Sequence, residues 1–181
     1  MENHSIIYHK NTVEFVTIAA QYCIFMEQSS GRPRREFVEI LLKLLPLLYV
    51  KAVLLPECEA LGLFPIEELV KESDYKFIRD VSFQIMGEQD DYLDVFVEDM
   101  KYSEEPIKRN ISEDLADIYQ DVRNFVGVYK VGLEDTMYDA IAKVKENFKL
   151  YWGQTLVNTL RALHDVYFNQ QIKSGNTEVE D

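Results

Sequence analysis

Apolar residues recur at helical spacing along almost the whole chain, and one stretch goes beyond spacing. Phe37 to Leu55, FVEILLKLLPLLYVKAVLL, is apolar at fifteen of nineteen positions, all but Glu39, Lys43, Pro46 and Lys51. A helix that is apolar nearly all round belongs inside a bundle or a membrane. Three charges argue against a span, because each charge at a bilayer centre costs about 2.5–3.5 kcal/mol on insertion scales. The stretch reads as the central helix of an all-α domain. Pro46 removes the bond to the Leu42 carbonyl and crowds that turn, which predicts either a kink or two short helices meeting there.

Amphipathic stripes on both sides supply the cover. Upstream, Asn11 and Glu14 approximate a capping box. Phe15, Ile18, Ala19, Tyr22, Cys23 and Met26 then form one helical stripe, which Ser29-Ser30-Gly31 ends. Pro33 suits the first turn of the following helix. Downstream, Pro65 predicts the start of a third helix through Ile66, Leu69, Val70, Tyr75, Ile78, Val81 and Ile85, closed by Gly87. Ser73-Asp74 marks a point of interruption, since both residues favour caps.

A fourth helix opens at an expected Ser112 N-cap, with Glu113 and Asp114 complementing the dipole. Its core face is Leu115, Ile118, Val122, Phe125, Val126 and Tyr129, and Gly132 ends it. The fifth begins near Glu134 or Asp135 and carries Met137, Ile141, Val144, Phe148 and Tyr151. Past Gly153 the stripe continues as Leu156, Leu160, Leu163 and Tyr167, shifted by one position. Such a shift signals a bend or a change of packing partner, with Trp152 as the core anchor beside it.

Residues 88–111 lack periodicity, but their aromatic content predicts an ordered, irregular crossover. The expectation is a single all-helical domain over residues 1–173, a bundle of about five to six helices, with a polar tail at 174–181 that frays. A chain of 181 residues buries roughly 70% of its unfolded surface in one such domain. The pattern sets no oligomeric state.

Charge changes the picture more than composition does. The formal net charge is −13, and residues 57–121 carry 19 acids against 6 bases, so the excess lies in the middle third. That balance disfavours direct contact with nucleic acid, whose phosphates demand basic patches. MENHSIIYHK shows no basic segment leading into an apolar one, so the expected compartment is the cytoplasm, with no membrane contact. Cys23 and Cys58 make neither a disulfide framework nor a metal motif. The first functional expectation is a non-enzymatic protein-interaction module that binds another protein through acidic residues 57–121.

The alternative expectation is a metal-dependent phosphohydrolase acting on nucleotides or phosphate esters. Asp114, Asp117 and Asp121 stand at i, i+3 and i+7, which aligns three carboxylates along one helix side. Such a row suits Mg²⁺, an ion held by oxygen ligands; the plainer reading is a solvated face opposite the Leu115 stripe. No cofactor is expected outside this alternative. Glu36 and Glu39 offer an ExxE pair, at a separation from Asp114 too long for the usual all-α pyrophosphohydrolase arrangement. Asp90, Asp91 and Asp94 lack the order and glycine of a calcium loop. Arg32, Arg34 and Arg35 crowd a helix start, as an anion site or as partners for the chain's own acids. His4, His9 and His164 stand without a catalytic set.

YSEEP and ISEDLADIYQD (Tyr102–Pro106, Ile111–Asp121), with LLPLLYVKAVLLP (Leu44–Pro56) and the Trp152–His164 segment, resemble an uncharacterised, domain-of-unknown-function family of Bacteroides-type bacteria. The resemblance spans most of the chain. It implies an all-helical cytoplasmic protein and brings no established activity, cofactor or catalytic residue.

Overall fold

The computed structural model describes residues 2–94 and 107–169, which contain seven α-helices and one short hairpin. In chain order they are α1 (Glu2–Ile7), α2 (Lys10–Glu27), α3 (Arg34–Val53), α4 (Glu72–Met86), β1 (Asp91–Leu93), β2 (Lys108–Asn110), α5 (Ile111–Val131), α6 (Glu134–Asn147) and α7 (Gly153–His164). The strands pair antiparallel, Tyr92 opposite Arg109. The class is all-α, as the pattern implies. The polar tail expected at 174–181 and the centre of the acidic crossover, residues 95–106, lie outside the described residues.

The centre of the bundle belongs to α5 rather than to α3. Helix α5 packs against α2, α4, α6 and α7. It buries most of its circumference, including the polar Ser112 and Asp114, and leaves Glu113, Asp117 and Gln120 as an exposed stripe. Small residues, Ala116 and Gly127, let neighbours approach its axis closely. Helix α3 buries one stripe, Phe37, Val38, Leu41, Leu45, Leu48 and Ala52, and leaves Leu47, Val50, Val53 and Leu54 exposed. Apolarity all round therefore did not mean cover all round. Pro46 lies inside one continuous α3. Burying Leu45 and Leu48 beside it, at about 1.5–3 kcal/mol each, offsets the roughly 3 kcal/mol cost of proline in a helix.

The one-position phase shift near Gly153 has a simple cause. Phe148–Trp152 is a π-turn joining α6 to α7 in one rod, and the Gly153 N–H bonds to the Phe148 carbonyl, five residues back. A π-turn adds one residue per turn. Trp152 is fully buried there and donates through Nε1 to the Val144 carbonyl at 3.1 Å. Tyr151, expected on the core stripe, points outward instead because the extra residue rotates the helix.

Several caps come from unexpected residues. His9, not Asn11, caps α2, accepting the Asn11 N–H at Nδ1, while the Asn11 side chain donates to the Leu54 carbonyl. Helix α5 starts before Ser112, and buried Asp90 accepts both the Ser112 N–H (2.8 Å) and its hydroxyl (2.7 Å) from outside the helix. Gly132 ends α5 in the left-handed region, as expected.

The predicted start of a helix at Pro65 is not realised. Residues 54–71 form an irregular strap, and α4 begins only at Glu72, where Asp74 accepts the Lys71 N–H at 2.9 Å. The capping preference of Ser73-Asp74 sets the helix start. Among the described residues no helix is long and apolar enough to cross a membrane.

Candidate functional site

The aspartate row of α5 does not converge on one point. Asp114 is 1% exposed and gathers the Tyr92 hydroxyl, both Arg109 Nε (3.1 Å) and Nη2 (2.6 Å), and the Thr159 hydroxyl (3.2 Å). It ties the hairpin and α7 to α5. Burial pushes its carboxyl upward in pKa, and Tyr92 and Arg109 pull it back. Asp117 is exposed and accepts the Tyr75 hydroxyl of α4 at 2.8 Å. Asp121 is half-buried and accepts Asn147 Nδ2 of α6 at 2.6 Å. Three spacings along one helix thus meet three different neighbours, and Asp114 is not on a solvated face. Among the described residues no three His, Cys, Asp or Glu side chains gather as a metal site would require.

The other candidates resolve into structural contacts. Arg32, in the turn before α3, pairs with Glu36 of that helix and covers the Phe25 ring, while Arg34 donates to the Met86 carbonyl at the end of α4. Arg35 lies over Tyr167. Glu39 pairs with Lys43. His164 packs at a tilt against Phe168, with ring centroids 4.6 Å apart. Cys23 is a buried core residue whose thiol burial pushes up to about 12. Much of the acidic middle third is likewise committed internally, with Asp90, Asp94 and Asp114 all buried.

A different site emerges where the strap crosses the bundle. The strap makes no regular backbone ladder, so its amides need side-chain acceptors. Buried Asp139 of α6 accepts the Leu61 and Gly62 N–H groups at 2.5 and 3.0 Å. Asn124 Oδ1 of α5 accepts those of Leu69 and Val70 at 2.7 and 2.8 Å. Lys145 donates to the Leu55 carbonyl and pairs with Glu57 at 2.7 Å. Ile66 and Val70 pack onto the core.

Held in this way, the strap forms one wall of an apolar groove of about 700 Å³. Phe64 and Leu69 stand on that wall, and Val128, Val131 and Leu133 on the other, at the α5–α6 turn. Val131 and Leu133 are 66% and 62% exposed, a large apolar display for one turn. Glu67, Glu134 and Asp135 sit among the same lining residues. Beyond Ile66 and Glu67, which line both, a smaller polar cavity of about 230 Å³ contains Asp121, Lys143 and Asn147. The volume of the groove falls in the usual range for binding clefts.

Sequence reasoning missed the groove because it read Pro65–Val70 as helix. The available signal was the Leu61-Gly62-Leu63-Phe64-Pro65 run, where apolar residues lie between a glycine and a proline and cannot all face the core.

Comparison with known proteins agrees with this architecture. The model of a family described as a domain of unknown function (DUF5063) matches residues 6–169. The crystal structure of protein BF1032 from Bacteroides fragilis is similar at 47% identity and a TM-score of 0.80, over 90% of this chain and 99% of that one. No curated protein matches the chain.

Proposed function

The chain belongs to the domain-of-unknown-function family DUF5063, and from that premise we propose a non-enzymatic protein-binding module. Its groove takes a basic, amphipathic segment of another protein. The observation that carries this reading is the pairing of an exposed apolar wall (Val131, Leu133) with three carboxylates among the same lining residues (Glu67, Glu134, Asp135). An apolar stripe fits such a groove by burial, and flanking lysines or arginines meet those carboxylates. The net charge of −13 steers cationic partners toward the molecule and repels phosphate-rich surfaces. The separation of Asp114, Asp117 and Asp121 onto different neighbours favours binding over metal-assisted hydrolysis.

The test is titration with a helical Leu/Lys amphipathic peptide and its Leu/Glu counterpart, using two double variants of equal charge. Val131→Lys with Leu133→Lys blocks the groove. Val13→Lys with Ile24→Lys adds the same charge at other exposed apolar positions. Loss of Leu/Lys peptide binding only in the groove variant supports the reading. Equal loss in both, or equal binding of the Leu/Glu peptide, overturns it.

A further inference from the structure

The polar cavity beside the groove shares Asn124 and the Lys143–Glu68 pair with the anchorage of the strap, but among the described residues Asp121 makes no bond to the strap. The strap's amides are taken by Asp139 and Asn124, and its carboxylate Glu57 by Lys145 and Lys149. Asp121 does neither. Among the described residues its hydrogen bond comes from Asn147 Nδ2 alone, a neutral amide, which leaves the carboxylate without a cation in direct contact. Lys143 is the one cation lining the cavity, and it pairs with Glu68 at 3.8 Å. Glu67 and Glu68 line the cavity as well, so three carboxylates share it with a single lysine.

A half-buried carboxylate with an amide as its direct partner is costly to keep ionised: desolvation raises the pKa of Asp121, and Asn147, with Lys143 at longer range, only partly pulls it back. A protein with no use for that charge could carry Asn there at no loss of packing. The cavity also adjoins the apolar groove through Ile66 and Glu67, within reach of a long side chain on a segment seated in the groove.

We infer that Asp121 is the specificity residue of the groove, accepting the ammonium or guanidinium of one lysine or arginine that the bound segment inserts into the polar cavity. This rests on the protein-binding reading above and adds to it one defined position in the partner. The guest's methylene stem passes Ile66, and its charged head reaches Asp121 with Gln120 and Asn147 as further polar partners. Glu67 stands at the junction and meets the charge on entry. Lys143 pairs with Glu68 and acts on Asp121 only at longer range, so the guest supplies a cation in direct contact.

The experiment is selection from a random-peptide display library against the wild-type protein, Asp121→Asn, Asp121→Glu and the Val131→Lys/Leu133→Lys groove variant. Circular dichroism first confirms that each variant is folded. The expected wild-type selection is an apolar-spaced motif with lysine or arginine fixed at one position. In Asp121→Asn that position loses its basic preference while the apolar motif survives, and Asp121→Glu restores it. The best peptide with that residue changed to norleucine should bind the wild type about tenfold weaker or less tightly still, the effect of one charge-assisted hydrogen bond. A fixed basic position that persists unchanged in Asp121→Asn overturns this inference and leaves the groove reading standing. Absence of any motif that depends on the groove overturns both.

Discussion

Leu69 rests on the bare α-carbon of Gly127: a Cβ at residue 127 would stand 2.3 Å from Leu69 Cδ1. That contact sets how closely the strap approaches α5, and with it the depth of the groove. Glycine is unfavourable in a helix by about 1 kcal/mol relative to alanine, so its presence in α5 is a cost met by close approach.

Gly127→Ala should therefore separate stability from binding. The helix gains up to about 1 kcal/mol, and partly exposed Leu69 can swing away, so the melting temperature should move by only a few degrees. Titration with the Leu/Lys peptide should nevertheless weaken, because Leu69 is displaced into the groove it lines. An unchanged affinity would mean that the depth of the groove does not matter.

The aspartate row offers a sharper contrast, since equal spacing conceals unequal roles. Asp114→Ala leaves Arg109, Tyr92 and Thr159 without their shared acceptor. Breaking a fully buried pair costs about 3–5 kcal/mol; Arg109 is about one-third exposed, so urea denaturation should show roughly 2–3 kcal/mol lost. Asp117→Ala removes one exposed acceptor and should cost no more than ~1 kcal/mol. Similar losses at the two positions would contradict the assignment of Asp114 as the clasp.

How much of this was legible beforehand follows from the same residues. Periodicity located α2, α3, α5 and α6–α7, because their buried faces are made of apolar side chains. It misjudged which helix lies at the centre. Ser112 read as an N-cap and Asp114 as part of a solvated row, yet both are buried once Asp90, Arg109 and Thr159 satisfy them. Asp90 lies 22 positions from Ser112 and Thr159 lies 45 from Asp114, so most of this pairing leaves no local pattern. The strap failed for a related reason: Asp139 and Asn124 supply from a distance the acceptors that a helix would have supplied from within. The phase shift at Gly153 was visible, and the π-turn gives its cause.

That turn carries its own prediction. A Cβ at Gly153 would lie 2.5 Å from the Phe148 carbonyl oxygen and 2.9 Å from its ring, and a backbone atom has little room to yield. Gly153→Ala should destabilise by about 1–3 kcal/mol despite the better helix former. The thermal midpoint should fall by roughly 2–12 °C, at about 2–4 °C per kcal/mol for a chain of this size. A rise would mean that the turn rewinds to an α-helix without loss.

The pH response should expose the strain at Asp121. Its folded pKa lies above the unfolded value near 3.8, raised by desolvation. Such a carboxyl contributes stability that is fully present below the unfolded pKa and lost as pH rises through the folded one. Asp121→Asn lacks this loss and keeps the acceptor for Asn147. Wild type and variant should therefore melt together only below the unfolded pKa of 3.8, with the variant the more stable once pH has risen through the folded pKa. A variant less stable at neutral pH would show the carboxylate to be structural.

The most direct measurement of the central claim is site-specific photo-crosslinking in cells that naturally make the protein. A photoreactive amino acid at Leu133, in the groove, is compared with one at Ile24, an exposed apolar position on α2. A discrete adduct is expected from residue 133 alone, mapping to a segment with an apolar stripe flanked by lysine or arginine. Identical adducts from both positions, or none from residue 133, would contradict the claim.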